Sequence, residues 1–331
     1  MTDTLRFVRA DTTPHVGHKA KRDDPRMVGR MVTLDGDPQA DRVKVILLGV
    51  ADDRGVQLNG GRVGAVDGPA KFRDYFFRLP APPELGTGSV LNAGDLEAAG
   101  HTPETHARLA EVVAVLRERF PHARLIVVGG GHDHAYGEAL GLARAVGKLD
   151  SNARVAVVNI DAHADVRPYD AGREEPHSGT PFRRLLLEPA ARLAGPSLVE
   201  WGLQRSANAH AHLQFLDQHH VNTVFLEDID GDDRRAGADL TGLLRSLAEV
   251  HAALSLSVDL DAFAQAVSPG VSAPSPIGVP PGAVVRAAAA LGRMPCATQM
   301  GIYELNPRFD QDGASARLAA RLAWSYATGL V

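Results

Sequence analysis

A single cysteine, Cys296, stands among 331 residues. One thiol forms no disulfide within the chain, which fits a reducing compartment. Following Pro295 among small residues, Cys296 reads as buried strand, a poor setting for a nucleophile. No apolar run approaches the length of about 20 residues that a membrane-spanning helix needs. Met1 to Arg6 lack the apolar core of a signal peptide, so a cytoplasmic location is expected and no membrane partner. Positive charge is not in excess: 35 Lys and Arg against 40 Asp and Glu leave a net charge of −5. The basic residues are scattered, and nucleic acid is not expected as a partner. Gly60-Gly61 is followed by no Gly-Lys-Ser/Thr, which excludes a P-loop phosphate cradle. No internal repeat or low-complexity linker divides the chain.

What is present is a large apolar fraction, 44% of residues, enough for a sizeable core. Residues 1–42 are polar and weakly patterned and read as an arm or lid; within them His15 and His18 read as part of a solvated segment. Residues 43–331 read as one domain. Strands are expected at Val43 to Val50, Leu125 to Val128, Val155 to Ile160, Ser197 to Leu203, Thr223 to Leu226, Leu254 to Val258 and Ala297 to Ile302. Helices are expected at Pro69 to Phe77, Pro103 to Phe120, Ala135 to Val146, Asn208 to Gln218, Leu240 to Ala252, Pro281 to Leu291 and Ala314 to Ala327. One more helix runs through Leu187, with Thr180 as cap and Pro181 at its first position. Strands alternating with helices imply an α/β fold of three layers, α/β/α, around a mostly parallel sheet.

Three strand ends carry chemistry. Val155 to Ile160 runs into Asp161-Ala162-His163-Ala164-Asp165, where alternate positions in an extended segment put both carboxylates and the imidazole on one face. Leu254 to Val258 ends in Asp259-Leu260-Asp261. Leu125 to Val128 leads through Gly129-Gly130-Gly131 to His132, with His134 just beyond as a supporting residue. Carboxyl ends of parallel strands are where open α/β sheets hold their ligands. Four carboxylates and two imidazoles are too many for one four-coordinate zinc. They suit two oxygen-loving ions such as Mn²⁺ bridged by shared carboxylates.

These motifs, in this order, resemble those of the ureohydrolase family, which includes arginase and agmatinase, from about Val45 to the C-terminus. The resemblance implies an arginase-like fold and two manganese ions bridged by Asp161 and Asp259. His132 and Asp165 would complete one shell, His163 and Asp261 the other. A hydroxide bridging the ions would be the nucleophile, Asp165 its proton acceptor, and Glu304, in Gly301-Ile302-Tyr303-Glu304, the partner of a substrate amidinium or guanidinium.

Two further features resemble the formimidoylglutamase branch: the loop Asn59-Gly60-Gly61-Arg62-Val63-Gly64-Ala65, and Ser178-Gly179-Thr180-Pro181. Arg167, two residues after Asp165, has the planar shape that clamps a carboxylate. Arg62 would suit a second one. Asn59, Ser178 and Gly179 are expected beside the substrate, and His177 as a proton shuttle. The reaction implied is hydrolysis of the small molecule N-formimino-L-glutamate to L-glutamate and formamide, in histidine degradation, by a homo-oligomer. Another ureohydrolase acting on a guanidino acid or amine, or an inactive metal-binding relative, are the alternatives.

Overall fold

The computed structural model describes residues 4–10, 25–169 and 174–331; His15 and His18 lie outside them. Ten strands form one sheet: β1 (Val8–Arg9), β2 (Met31–Thr33), β3 (Val45–Val50), β4 (Val90–Leu96), β5 (Arg124–Gly129), β6 (Val155–Ile160), β7 (Leu198–Leu203), β8 (Asn222–Phe225), β9 (Ala253–Asp259) and β10 (Ala297–Tyr303). Their order is β1-β4-β3-β5-β10-β9-β6-β7-β8, with β2 also against β4. Apart from the antiparallel β1–β4 pair, the pairings are parallel. The central strands β3, β6, β7 and β9 are buried along their whole length, as a sheet covered on both faces requires.

Among the described residues nine α-helices connect the strands: α1 (Arg54–Leu58), α2 (Gly68–Phe76), α3 (Thr102–Arg119), α4 (His134–Leu149), α5 (Pro181–Leu187), α6 (His210–Gln218), α7 (Asp233–Val250), α8 (Pro281–Leu291) and α9 (Ala314–Thr328). One face of the sheet packs Phe72, Phe76, Leu244, Leu291 and Tyr326 of α2, α7, α8 and α9 into a common core. The other packs α4, α5 and α6 around Leu142, Phe182 and Leu216, and α3 around Leu109, Val113 and Leu116.

Several expectations are corrected. β4 was not foreseen, because Asn92, Gly94 and Asp95 interrupt its apolar residues. The buried Arg73 guanidinium resolves that polarity by donating to Asn92 Oδ1 (3.1 Å), Asp95 Oδ1 (2.8 Å) and the Gly94 carbonyl (2.8 Å). Gly94 sits beside a register shift at φ 97°, and a Cβ there would lie 2.0 Å from the Arg9 carbonyl oxygen. Among the described residues of the N-terminal segment, β1 and β2 pair with β4 and Met27 is fully buried. α7 begins at Asp233, well before Leu240, because Asp232 caps it through the backbone N–H groups of Arg234 and Arg235. Cys296 is half-buried and precedes β10. Thr180 precedes α5, but its hydroxyl turns back to the His177 carbonyl (2.8 Å) instead of capping the helix.

Candidate active site

β5, β10, β9 and β6 are neighbours at the centre of the sheet. Chain continues from β5 to β6, yet two strands lie between them, so the crevice at their carboxyl ends is a topological switch point. Around it the six expected ligand residues converge. His132 Nδ1 lies 3.1 Å from Asp161 Oδ2, 3.0 Å from Asp165 Oδ2 and 3.1 Å from Asp259 Oδ2. His163 Nδ1 lies 3.4 Å from Asp161 Oδ1 and 3.4 Å from Asp261 Oδ1. Two ligand groups result, His132 with Asp161, Asp165 and Asp259, and His163 with Asp161 and Asp261. Asp161 is common to both; Asp259 falls in the first group alone.

The alternation expected of Asp161, His163 and Asp165 is not how they meet. β6 stops at Ile160, and the segment beyond it is irregular. Asp161 Oδ1 accepts the His163 N–H (2.7 Å), and Asp165 takes a left-handed φ of 48°. Asp259 Oδ1 accepts the Asp261 N–H in the same way (2.7 Å). Glu304 also has a positive φ, 66°, and such strain in non-glycine residues concentrates at functional sites.

This donor set calls for positive charge. His132 Nε2 is already engaged with Ser257 Oγ (2.8 Å), and Nδ1 faces three carboxylate oxygens although a single N–H serves one acceptor well. Among the described residues the buried Asp261 Oδ1 makes no hydrogen bond, only the 3.4 Å approach of His163 Nδ1. Burial and Asp161 push Asp165 up to about 6; burial and Asp259 push Glu304 up to about 8. Carboxylates this crowded cannot all ionise without a cation between them. An octahedral ion with bonds of about 2.1 Å sets neighbouring donors about 3 Å apart, the spacing found around His132. The residues therefore fit a pair of hard divalent cations.

A third cluster, His106, Asp133 and His134, does not. Arg184 Nη1 donates to His106 Nδ1 (2.7 Å), which leaves the proton on Nε2, where it bonds Asp133 Oδ2 (2.7 Å). A metal at Nε2 would need that ring to lose both protons. The cluster is instead a strut behind the ligands. His134, expected as a supporting residue, lies in it with Nδ1 on the Gly131 carbonyl (2.9 Å).

A cavity of about 200 Å³ opens over the ligands; Asp165, Asp259, Asp261 and Glu304 line it, as do Arg167 and His212. Glu304 Oε1 accepts the His132 N–H (2.9 Å), while the buried Oε2, with Ser272 nearby, makes no hydrogen bond among the described residues. Asn59 and Ser178 line the cavity and bond each other, Nδ2 to Oγ at 2.9 Å. Gly179 is the backbone Arg167 leans on: its carbonyl accepts the Arg167 N–H (2.8 Å), and a Cβ there would meet Arg167 Cδ at 2.8 Å.

Two expected contacts are placed elsewhere. The Arg62 guanidinium donates to the carbonyls of Val271 and Pro269 and lies 4.1 Å over the Phe309 ring. It braces the loop instead of facing the cavity. His177 does not line the cavity either, and its Nδ1 accepts the Gly179 N–H (3.2 Å). Sequence reasoning missed Ser272, Asn208 and His212. Asn208, ahead of a helix, reads as an ordinary N-cap; in fact its side chain grips Ala162 O (2.9 Å) and Ala164 N (2.8 Å) of the ligand loop.

The family model described as the arginase family matches residues 43–329. The chain is 36% identical to a formimidoylglutamase of Citrobacter koseri, across 88% of this chain and 87% of the relative. It is 32% identical to one of Geobacillus thermodenitrificans, across 88% and 86%. Its fold resembles the formiminoglutamase of Trypanosoma cruzi crystallised with Mn²⁺₂, at a TM-score of 0.77 and 29% identity, across 93% of this chain and 98% of that one. With the strand-end ligands, the parallel sheet and these matches agreeing, the chain belongs to the arginase family.

Proposed function

We propose that this protein is a binuclear manganese hydrolase that converts N-formimino-L-glutamate to L-glutamate and formamide, a reaction of histidine degradation. The observation that carries the substrate choice is Arg167. It lines the same cavity as the ligand carboxylates, and among the described residues its guanidinium has no carboxylate partner. An arginine left open in this way suits a substrate acid. The relatives named for this activity support the same reading.

His132, Asp161, Asp165 and Asp259 would hold one ion, and Asp161, His163 and Asp261 the second. When bound, two such ions activate water at neutral pH and polarise the carbon it attacks. Glu304 faces the amidinium with its free Oε2 and fixes the orientation of the reacting carbon. Asp165 Oδ2 points into the ligand cluster, so Oδ1 is left to take a proton and return it to the departing nitrogen. Arg167 anchors the acid end. Within the described residues no helix is long and apolar enough to cross a membrane; a cytoplasmic location and a homo-oligomer belong to the same proposal.

The test is a substrate panel with manganese-loaded protein: formiminoglutamate, arginine, agmatine and guanidinobutyrate. Turnover of formiminoglutamate well above the other three is expected. Preference for a guanidino compound would overturn the assignment.

A further inference from the structure

N-formimino-L-glutamate carries two carboxylates, and Arg167 accounts for one. Arg62 is spent on the Val271 and Pro269 carbonyls and the Phe309 ring. Arg183 lies 4.1 Å over the Phe215 ring and does not line the cavity. His163 belongs to the ligand cluster. Asn208 is occupied with the Ala162 and Gln204 carbonyls and the Ala164 N–H. Of the imidazoles and guanidiniums that line the cavity, His212 remains, in the first turn of α6, and its ring makes no hydrogen bond to a described residue.

Resting on the formiminoglutamate reading, we propose that His212 is a specificity-determining residue that donates a ring N–H to the substrate carboxylate Arg167 does not hold. The placement is rigid. Asn208, four residues earlier, is bonded into the same Ala162–Ala164 segment that carries His163, so the start of α6 is held in register with the ligand cluster. The electrostatics agree. Burial, then Arg167, then Arg183 keep the His212 imidazole below its usual pKa. Those cations put a positive potential at the acid-binding end, and a neutral imidazole still offers one N–H. The acidic groups Asp165, Asp259, Asp261 and Glu304 line the same cavity. The cavity thus offers carboxylates for an amidinium and a guanidinium with an imidazole for acids, which matches both kinds of charge on the substrate. It also disfavours agmatine, whose far end is a primary ammonium, a cation that Arg167 would repel.

The test compares wild type, Arg167→Ala, His212→Ala, His212→Gln and His212→Asn on three substrates: N-formimino-L-glutamate, N-formimino-γ-aminobutyrate without the α-carboxylate, and N-formimino-α-aminobutyrate without the side-chain carboxylate. His212→Ala should lower kcat/KM on the full substrate about tenfold or more, through KM, with manganese content unchanged. It should leave one monocarboxylate substrate nearly untouched, the one that Arg167→Ala impairs. One of the two amide variants, which place an N–H near Nε2 or Nδ1, should recover most of the loss. Equal losses on both monocarboxylates, no loss on the full substrate, or no recovery by either amide would overturn the role of His212. Failure of the underlying reading shows separately, as a wild-type protein that ignores all three formimino compounds.

Discussion

The backbone N–H of His132 donates to Glu304 Oε1 over 2.9 Å, so the residue ending the last strand is bonded to the loop that carries a ligand imidazole. The Glu304 N–H returns the bond to the Gly130 carbonyl at 2.8 Å. One carboxylate oxygen is thus structural, and the other is free to meet a substrate.

That division predicts the behaviour of Glu304→Gln. The amide keeps an oxygen for the His132 N–H but removes the charge opposite the amidinium. A buried charge pair broken from one side costs about 2–5 kcal/mol, which is more than tenfold in kcat/KM. Manganese content, measured on the same samples, should stay at the wild-type level. Loss of metal together with activity would mean that Glu304 serves the fold alone.

Asp161 presents each of its oxygens to a different imidazole, Oδ2 to His132 and Oδ1 to His163. Asp161→Ala should therefore deplete both ions at once, whereas Asp261→Ala should spare the one beside His132. Elemental analysis of the purified variants reads the stoichiometry directly. Chelation of the wild type should abolish turnover, and full activity in a stripped sample would remove metal from the mechanism.

Arg167 is exposed along the cavity wall rather than buried. Its contact with a carboxylate is accordingly expected to contribute about 1.5–3 kcal/mol, the range of hydrogen bonds to charged groups. Arg167→Ala should lower kcat/KM for formiminoglutamate by roughly 10- to 100-fold. Any residual agmatine turnover should hardly change. Equal losses on both substrates would reassign Arg167 to support of the Gly179 loop.

His106 predicts a pH effect on stability. Burial, outweighing the attraction of Asp133, pushes its pKa down to about 4 from the ordinary 6.5. The unfolded chain therefore takes up this proton first as pH falls, so the stabilisation is full above pH 6.5 and is lost on descending towards pH 4. The shift corresponds to about 3 kcal/mol. His106→Gln keeps an N–H for Asp133 and cannot titrate. In denaturant unfolding between pH 7 and pH 4, wild type should lose stability relative to this variant by that order. Parallel curves would contradict the neutral, buried imidazole.

How much could be read before folding depended on whether a residue's role lay in its own neighbourhood. His132, Asp161 and Asp259 follow apolar runs that announce strands, and their place at strand ends is local information. The long helices α3, α8 and α9 were legible for the same reason, as periodic or Ala-rich segments with Pro or Gly at their starts. β4 was not, because the group that tolerates its Asn92 and Asp95 is Arg73, on a different helix. Arg62 and His177 failed in the opposite sense. Each is a plausible ligand residue by type, and only the fold shows Arg62 turned to the Val271 carbonyl and His177 turned to the Gly179 N–H. His212 had no local signal, since one polar residue in the first turn of a short helix resembles any other.

The Asp133 carboxylate, held by His106, lies where side chains on Gly55 and Gly131 would have to go. A Cβ on either would come within 2.0 Å and 2.4 Å of Asp133 Oδ1. Gly55 also offers its carbonyl to the Ser178 N–H (3.1 Å), so three segments distant in the chain meet around one carboxylate. Slack is therefore absent between the bed that holds cations and the rim that meets substrate. A single methyl group at Gly55 would be felt both at the Asp133 support behind the ligands and at the Ser178 rim.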